Sequence, residues 1–159
     1  MTRRVVIDNT VLTNLAIVGR SDLIALVWAE RACTTPEVMG EYRVAAETGL
    51  LPTAAWNSLR VVAMTGDEVG AADALSRRLG AGERSCLAVA PNRGALVLTD
   101  DADARATARR YGIPVSGTLG VLALAVRRGH LTLAEGDRLL AAMIAAGYRS
   151  PVEKLDVLI

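Results

Sequence analysis

The chain predicts an α/β fold with a parallel sheet covered by helices on both faces, and two observations carry that prediction. Short apolar runs recur at 4 to 8, 32 to 35, 60 to 64, 95 to 99 and 113 to 115, with helix-like segments between them. Strands that alternate with helices pair in parallel, because a parallel partner is reached only by a crossover. The second observation is punctuation. Gly19, Gly49, Gly80, Gly94, Gly112, Gly129 and Gly147 each sit at or just past an expected helix end, where a left-handed cap favours glycine.

In chain order, Val5, Val6 and Ile7 read as a buried strand that Asp8 ends, followed by helices near 11 to 18 and 22 to 29. "ACTT" is the second strand, and Pro36 opens the helix 36 to 48 at its first turn, where a missing N–H costs nothing. "RVVAM" precedes helices at 67 to 79 and 82 to 92; "ALVLT" precedes one at 102 to 111; "IPV" precedes two, at 118 to 128 and 133 to 146. The closing "SPVEKLDVLI", about 150 to 159, is too short to fold alone and carries Val152, Leu155 and Leu158 at helical spacing. It is expected to dock on its own domain or on a second subunit. With no linker, repeat or low-complexity tract, residues 1 to 159 read as one domain, a length sufficient for a single core.

Composition narrows the function. Apolar residues make up 52% of the chain, yet no run approaches the ~18 to 20 needed to span a bilayer, so no membrane is expected as a partner. Met-Thr-Arg-Arg leads straight into a strand without a signal segment, so a cytoplasmic location is expected. Cys33 and Cys86 lie too far apart for a redox pair and are too few for a zinc site. Charges nearly balance, 18 Lys plus Arg against 17 Asp plus Glu, so only local patches can attract nucleic acid.

The acids form a pattern. In open parallel sheets ligands bind beyond the carboxyl ends of the strands. Asp8 ends one strand there and Asp100 with Asp101 ends another; on neighbouring strands, ~4.8 Å apart, these carboxylates would repel unless a cation lay between them. A hard divalent ion with oxygen ligands, Mg²⁺ or Mn²⁺, is the natural occupant. Glu41 in "PEVMGEYR" and Glu83 in "LGAGERSCLAVA" are two helical acids able to complete the set. Each acid also has an ordinary reading: Glu83 in a first helical turn, and Asp100, Asp101 and Asp103 as caps of the helix near 102.

"VVIDNTVLTNLAIVGRSDLI", "TTPEVMGEY", "LGAGERSCLAVA", "VLTDDADARATARRYGIPVSGTLGVLALAVRRGHL" and "LLAAMIAAGYRSP" resemble, in order and spacing, the PIN-domain superfamily, and most of all its VapC-like bacterial and archaeal branch. The resemblance covers nearly the whole chain. It implies a three-layer α/β/α sandwich with a central parallel sheet of four or five strands. It also implies a metal-dependent endoribonuclease, the toxin of a toxin–antitoxin pair, with RNA as substrate and an antitoxin protein as partner. Carried over position by position, the family's acidic cluster falls on Asp8, Glu41, Glu83 and the Asp100/Asp101 pair, and Thr10 matches the small hydroxyl residue two places after the first Asp. The doubled Asp leaves open which of the two faces the metal. The family often dimerises, and Leu119, Leu122, Val126, Leu139, Leu140, Met143 and Ile144 on the last two helices offer apolar surface for a homodimer.

Residue counts thin out the rivals. His130 is the only histidine, which rules out a two-histidine acid–base ribonuclease; Lys154 has no glycine before it, so there is no Walker A loop; and no GxSxG elbow exists. A DNA or flap nuclease, and a non-catalytic nucleic-acid or protein-binding module on the same scaffold, stay open. Arg84, beside Glu83, is the expected phosphate contact, and five aromatic residues with no Phe leave little for base stacking.

Overall fold

The computed structural model describes residues 3 to 51, 54 and 56 to 159. Among the described residues five strands, β1 (Arg4–Ile7), β2 (Ala32–Thr34), β3 (Arg60–Val61), β4 (Ala95–Leu98) and β5 (Val115–Ser116), form one sheet in the order β3-β2-β1-β4-β5. Every pairing is parallel. Val5, Val6 and Ile7 have no exposed surface, as a central strand covered on both faces requires. The chain first builds outward from β1 to β3, then returns to the other side of β1 to lay down β4. The switch point therefore lies between β1 and β4, with Ile7 opposite Leu98 in register and the Asp8 N–H donating to the Leu98 carbonyl at 2.9 Å.

Eight α-helices complete the three-layer α/β/α sandwich among the described residues: α1 (Asn9–Ile17), α2 (Asp22–Trp28), α3 (Pro36–Glu47), α4 (Gly66–Asp73), α5 (Ala81–Val89), α6 (Ala102–Arg110), α7 (Thr118–Arg127) and α8 (Leu133–Ala145). α5 packs on both α3 and α4, α7 on both α2 and α8, and α1 touches α3 and α7. Among the described residues no single helix is long and apolar enough to cross a membrane.

Several expected boundaries move, each for a local reason. The helix expected over 67 to 79 ends at Asp73, because the Ser76 hydroxyl captures the Arg78 N–H at 3.2 Å and the chain turns. The one expected over 82 to 92 stops at Val89: Pro91 lacks the N–H that would continue it, and residues 91 to 93 form a 3₁₀ turn. The third strand keeps only Arg60 and Val61, since its neighbour β2 bends into α3 at Thr35. The fifth starts at Val115 because Pro114 has no donor to pair. Gly80 is not a left-handed C-cap but the N-cap of α5, with φ of −68°.

The terminal segment folds back on its own domain. Leu155 is fully buried and its N–H donates to Asp137 Oδ1 at 2.8 Å. Leu122, Leu140 and Met143 are buried within the single chain, and Leu119, Val126, Leu139 and Ile144 pack against its core. Much of the apolar surface on which a dimer was expected is therefore covered internally.

Candidate active site

A strand ends in an acid here because the strand points at the switch-point crevice. Asp8 is only 1% exposed, so its oxygens need partners. Oδ1 accepts the Asn9 N–H at 2.7 Å; Oδ2 accepts the Thr99 hydroxyl at 2.7 Å and the Thr10 hydroxyl at 3.3 Å. Both hydroxyls in turn accept backbone N–H groups from the end of β4, Thr10 from Asp100 at 2.9 Å and Thr99 from Asp101 at 3.2 Å. Each hydroxyl thus has its proton directed at Asp8. Burial pushes the Asp8 carboxyl up to about 6; the Thr99 and Asn9 hydrogen bonds oppose that rise, and the charges of Glu83 and Glu41 add to it.

Glu41 and Glu83 arrive from α3 and α5. Thr35 caps α3 by accepting the Val38 N–H at 3.2 Å, and its hydroxyl meets that of Ser85 at 2.7 Å, locking the two helix starts together. Glu41 Oε1 then accepts the Gly82 N–H at 2.8 Å. The small residues of "GAGE" are there for space. A Cβ at Gly82 would lie 2.8 Å from Glu41 Oε2, and one at Gly80 would collide with Glu83 Oε2. Burial raises the Glu83 carboxyl; the helix-start N–H groups of Glu83 and Gly80 oppose this, while the charges of Glu41 and Asp101 reinforce it.

The doubled Asp divides its labour. Asp100 turns toward α7: Oδ1 accepts the Thr118 N–H at 2.9 Å, and Oδ2 accepts Asn14 Nδ2 at 3.0 Å together with the Thr118 hydroxyl. Gly117 leaves the room for this, since a Cβ there would strike Asp100 Oδ1. Asp101 caps α6 through Oδ2, which accepts the Ala104 N–H at 2.8 Å, and its charge is felt by Glu83. Asp103 is exposed on the first turn of α6. Arg84 is half-buried, and His130 is exposed.

Four carboxylates, those of Asp8, Glu41, Glu83 and Asp101, therefore share one electrostatic environment in which two are pushed upward in part by the others. Among the described residues no three acidic, histidine or cysteine side chains converge as a finished metal cage. The donor chemistry nonetheless fits a hard divalent cation: oxygen only, mutually repelling, and with no ion pair to a basic side chain among the described residues. Sequence reasoning passed over Asn14, Thr99 and Thr118, which orient these acids. The readable signal for Thr99 was a hydroxyl residue immediately before the acid pair at a strand end.

Acids gathered beyond the strand ends of a doubly wound parallel sheet define the class, an α/β sandwich with an acid-lined crevice at its switch point. A family model described as a PIN domain matches residues 4–159, and the chain belongs to the PIN-domain family. PIN domains are generally nucleases that use divalent metals. No curated protein matches the chain.

Proposed function

We propose that the protein is a metal-dependent endoribonuclease of the VapC-like kind, hydrolysing RNA phosphodiester bonds in the cytoplasm as the toxin of a toxin–antitoxin pair. The observation that carries the nuclease reading is the mutual charge of Asp8, Glu83, Glu41 and Asp101 around the end of β1. In this reading Asp8, Glu41, Glu83 and Asp101 hold the ion. Asp100 is a positioning residue that ties the end of β4 to α7. Mg²⁺ or Mn²⁺ in the crevice supplies activation of a water and stabilisation of charge on the phosphodiester. Thr10 and Thr99 keep their protons on Asp8 Oδ2 and so hold that carboxylate in one orientation, sparing the reorganisation a mobile acid would undergo. Gly80 and Gly82 keep the two glutamates free of steric competition.

The test is incubation of the wild-type protein and Asp8→Asn with assorted RNAs and DNAs, in Mg²⁺, in Mn²⁺ and in chelator. RNA cleavage that needs the metal and falls at least ~100-fold in Asp8→Asn is expected, the scale of losing a principal electrostatic group. Wild-type turnover in Asp8→Asn would remove the site, and cleavage confined to DNA would remove the ribonuclease reading. Co-purification with the product of an adjacent small gene tests the antitoxin.

A further inference from the structure

Beyond Asp100, on the side away from Asp8, a cleft of about 670 Å³ opens between β4, β5, α7 and the C-terminal segment. That lies within the ~300 to 1,000 Å³ range of clefts that hold organic ligands. Among the described residues its lining carries five arginines, Arg3, Arg105, Arg127, Arg128 and Arg149, and one acid, Asp100. Asp100 keeps its charge while accepting from Thr118 and Asn14, and as one acid it offsets only one of the five arginines, so the rim stays net positive. Among the described residues none of the five arginines forms an ion pair. Arg105, Arg127 and Arg128 each give one N–H to a carbonyl, of Thr99, Leu158 and Val27. A guanidinium has five N–H groups, so most of the donors face the cleft or solvent. The floor is apolar, offered by the partly exposed Leu96, Leu119 and Leu124.

We propose that this cleft holds a single-stranded stretch of the nucleic-acid substrate, its phosphates on the arginines and its unpaired bases against the leucine floor. The proposal rests on the nuclease reading above. Several arginines around one concave surface are stable together when solvated, and more so when a polyanion replaces the solvent. A chain of phosphates matches a row of such heads, and bidentate pairing favours guanidinium over ammonium. The apolar floor selects between strand forms. A duplex hides its bases and presents only backbone, leaving leucines with nothing to cover, whereas a single strand exposes base faces that gain by burial. Position agrees with this assignment: Asp100 lines the cleft and the charge of its chain neighbour Asp101 is felt by Glu83, so cleft and acidic crevice approach one another at this pair of residues. With Tyr148 the one aromatic at the rim that is not buried, stacking is limited and sequence preference should be weak.

The experiment is fluorescence anisotropy of a labelled ten-nucleotide RNA in chelator, where nothing is cut. Arg127→Glu with Arg149→Glu is compared with Arg43→Glu plus Arg60→Glu, an equal charge change near the opposite, β3 edge of the sheet. The cleft pair should weaken binding at least tenfold and reduce the slope of log K against log salt by about 1.4, two contacts at ~0.7 each. The control pair should stay within twofold, and Arg127→Lys with Arg149→Lys should lose less than the glutamate pair. Equal loss in cleft and control pairs, or duplex RNA binding as tightly as single-stranded, overturns the proposal. So does a cleft pair that binds RNA normally but changes the mass seen by light scattering, which would assign the surface to a second copy of the chain. Cleft-dependent RNA binding by a protein that cuts no nucleic acid would support the cleft and sink the nuclease reading, so the two failures are separable.

Discussion

Asp100 and Asp101 are adjacent in the chain and do opposite things, and substitutions to asparagine separate them. Asn caps a helix as well as Asp, so Asp101→Asn should melt within about 0.5 kcal/mol of wild type in chelator. If Mn²⁺ binds the native state, as the proposed function requires, millimolar Mn²⁺ should raise the wild-type melting temperature, and Asp101→Asn should lose that rise. Asp100→Asn sets an amide donor against Asn14 Nδ2 or the Thr118 N–H, and a mispaired group of this kind costs about 1 to 3 kcal/mol. It should keep its Mn²⁺ response. Thermal melts of both variants with and without Mn²⁺ decide the matter, and the reverse pattern would make Asp100 the ligand. For Asp8→Asn two effects oppose, relief of a carboxylate that burial and neighbouring acids disfavour and an amide donor set against groups that donate to Asp8, so the same melts in chelator should show a protein within about 1 to 3 kcal/mol of wild type. A large loss would mean that the Thr10 and Thr99 hydroxyls depend on charge at that position.

At the scale of elements, α4 is held by a buried acid outside the crevice. Glu68 and Thr65 form a reciprocal capping box, and Glu68, 1% exposed, also accepts from Asn92 and pairs with Arg93 at 3.2 Å. Burial alone would raise its carboxyl, but the Thr65 N–H, Asn92 and Arg93 outweigh that and hold it below the ordinary 4.5. A carboxyl lowered by folding contributes stability that is present above the unfolded value and lost as pH falls through the folded one. Glu68→Gln should therefore cost about 1 to 3 kcal/mol at pH 7 and progressively less below pH 4.5. Denaturant melts across that range check it, and a pH-independent difference would assign the cost to packing. The order of strands and helices and the acids that follow β1 or lie on α3 and α5 were legible because each is a local pattern. The choice between Asp100 and Asp101 was not, because it depends on Thr118 docking from beyond the next helix and strand. Nor were the cleft arginines, which come from the N-terminus, α6, α7 and the segment after α8, separated in sequence and joined only by the fold. Strand lengths were overestimated where Pro114 and the bend at Thr35 end the pairing.

For the whole molecule, the return of residues 150 to 159 onto their own domain makes the terminus part of the core. Leu155→Ala empties a fully buried site against Gly136, whose missing Cβ would stand 2.6 Å from Leu155 Cδ1, and should cost about 2 to 5 kcal/mol. A melting temperature unchanged by this substitution would show that the segment is not docked in solution. A homodimer would draw on apolar surface that is still exposed, such as Val44, Leu50, Val61 and, on α8, Leu133. Light scattering settles it: a mass of 16.7 kDa removes the dimer, and twice that value supports it.

The position of β1 at the centre of the sheet has a consequence in time. β1 leaves the ribosome before the other four strands, yet one of its two neighbours, β4, follows some ninety residues later in register, Ile7 meeting Leu98. At ~5 to 20 residues per second the valines and isoleucine of β1 wait several seconds for that partner. Asp8 waits with them, since the hydroxyl that fixes its Oδ2 is that of Thr99 and the acid completing the crevice is Asp101. A truncated or half-made chain thus carries the first acid without the last, and the translation machinery that builds the protein handles only the incomplete site until synthesis has passed residue 101.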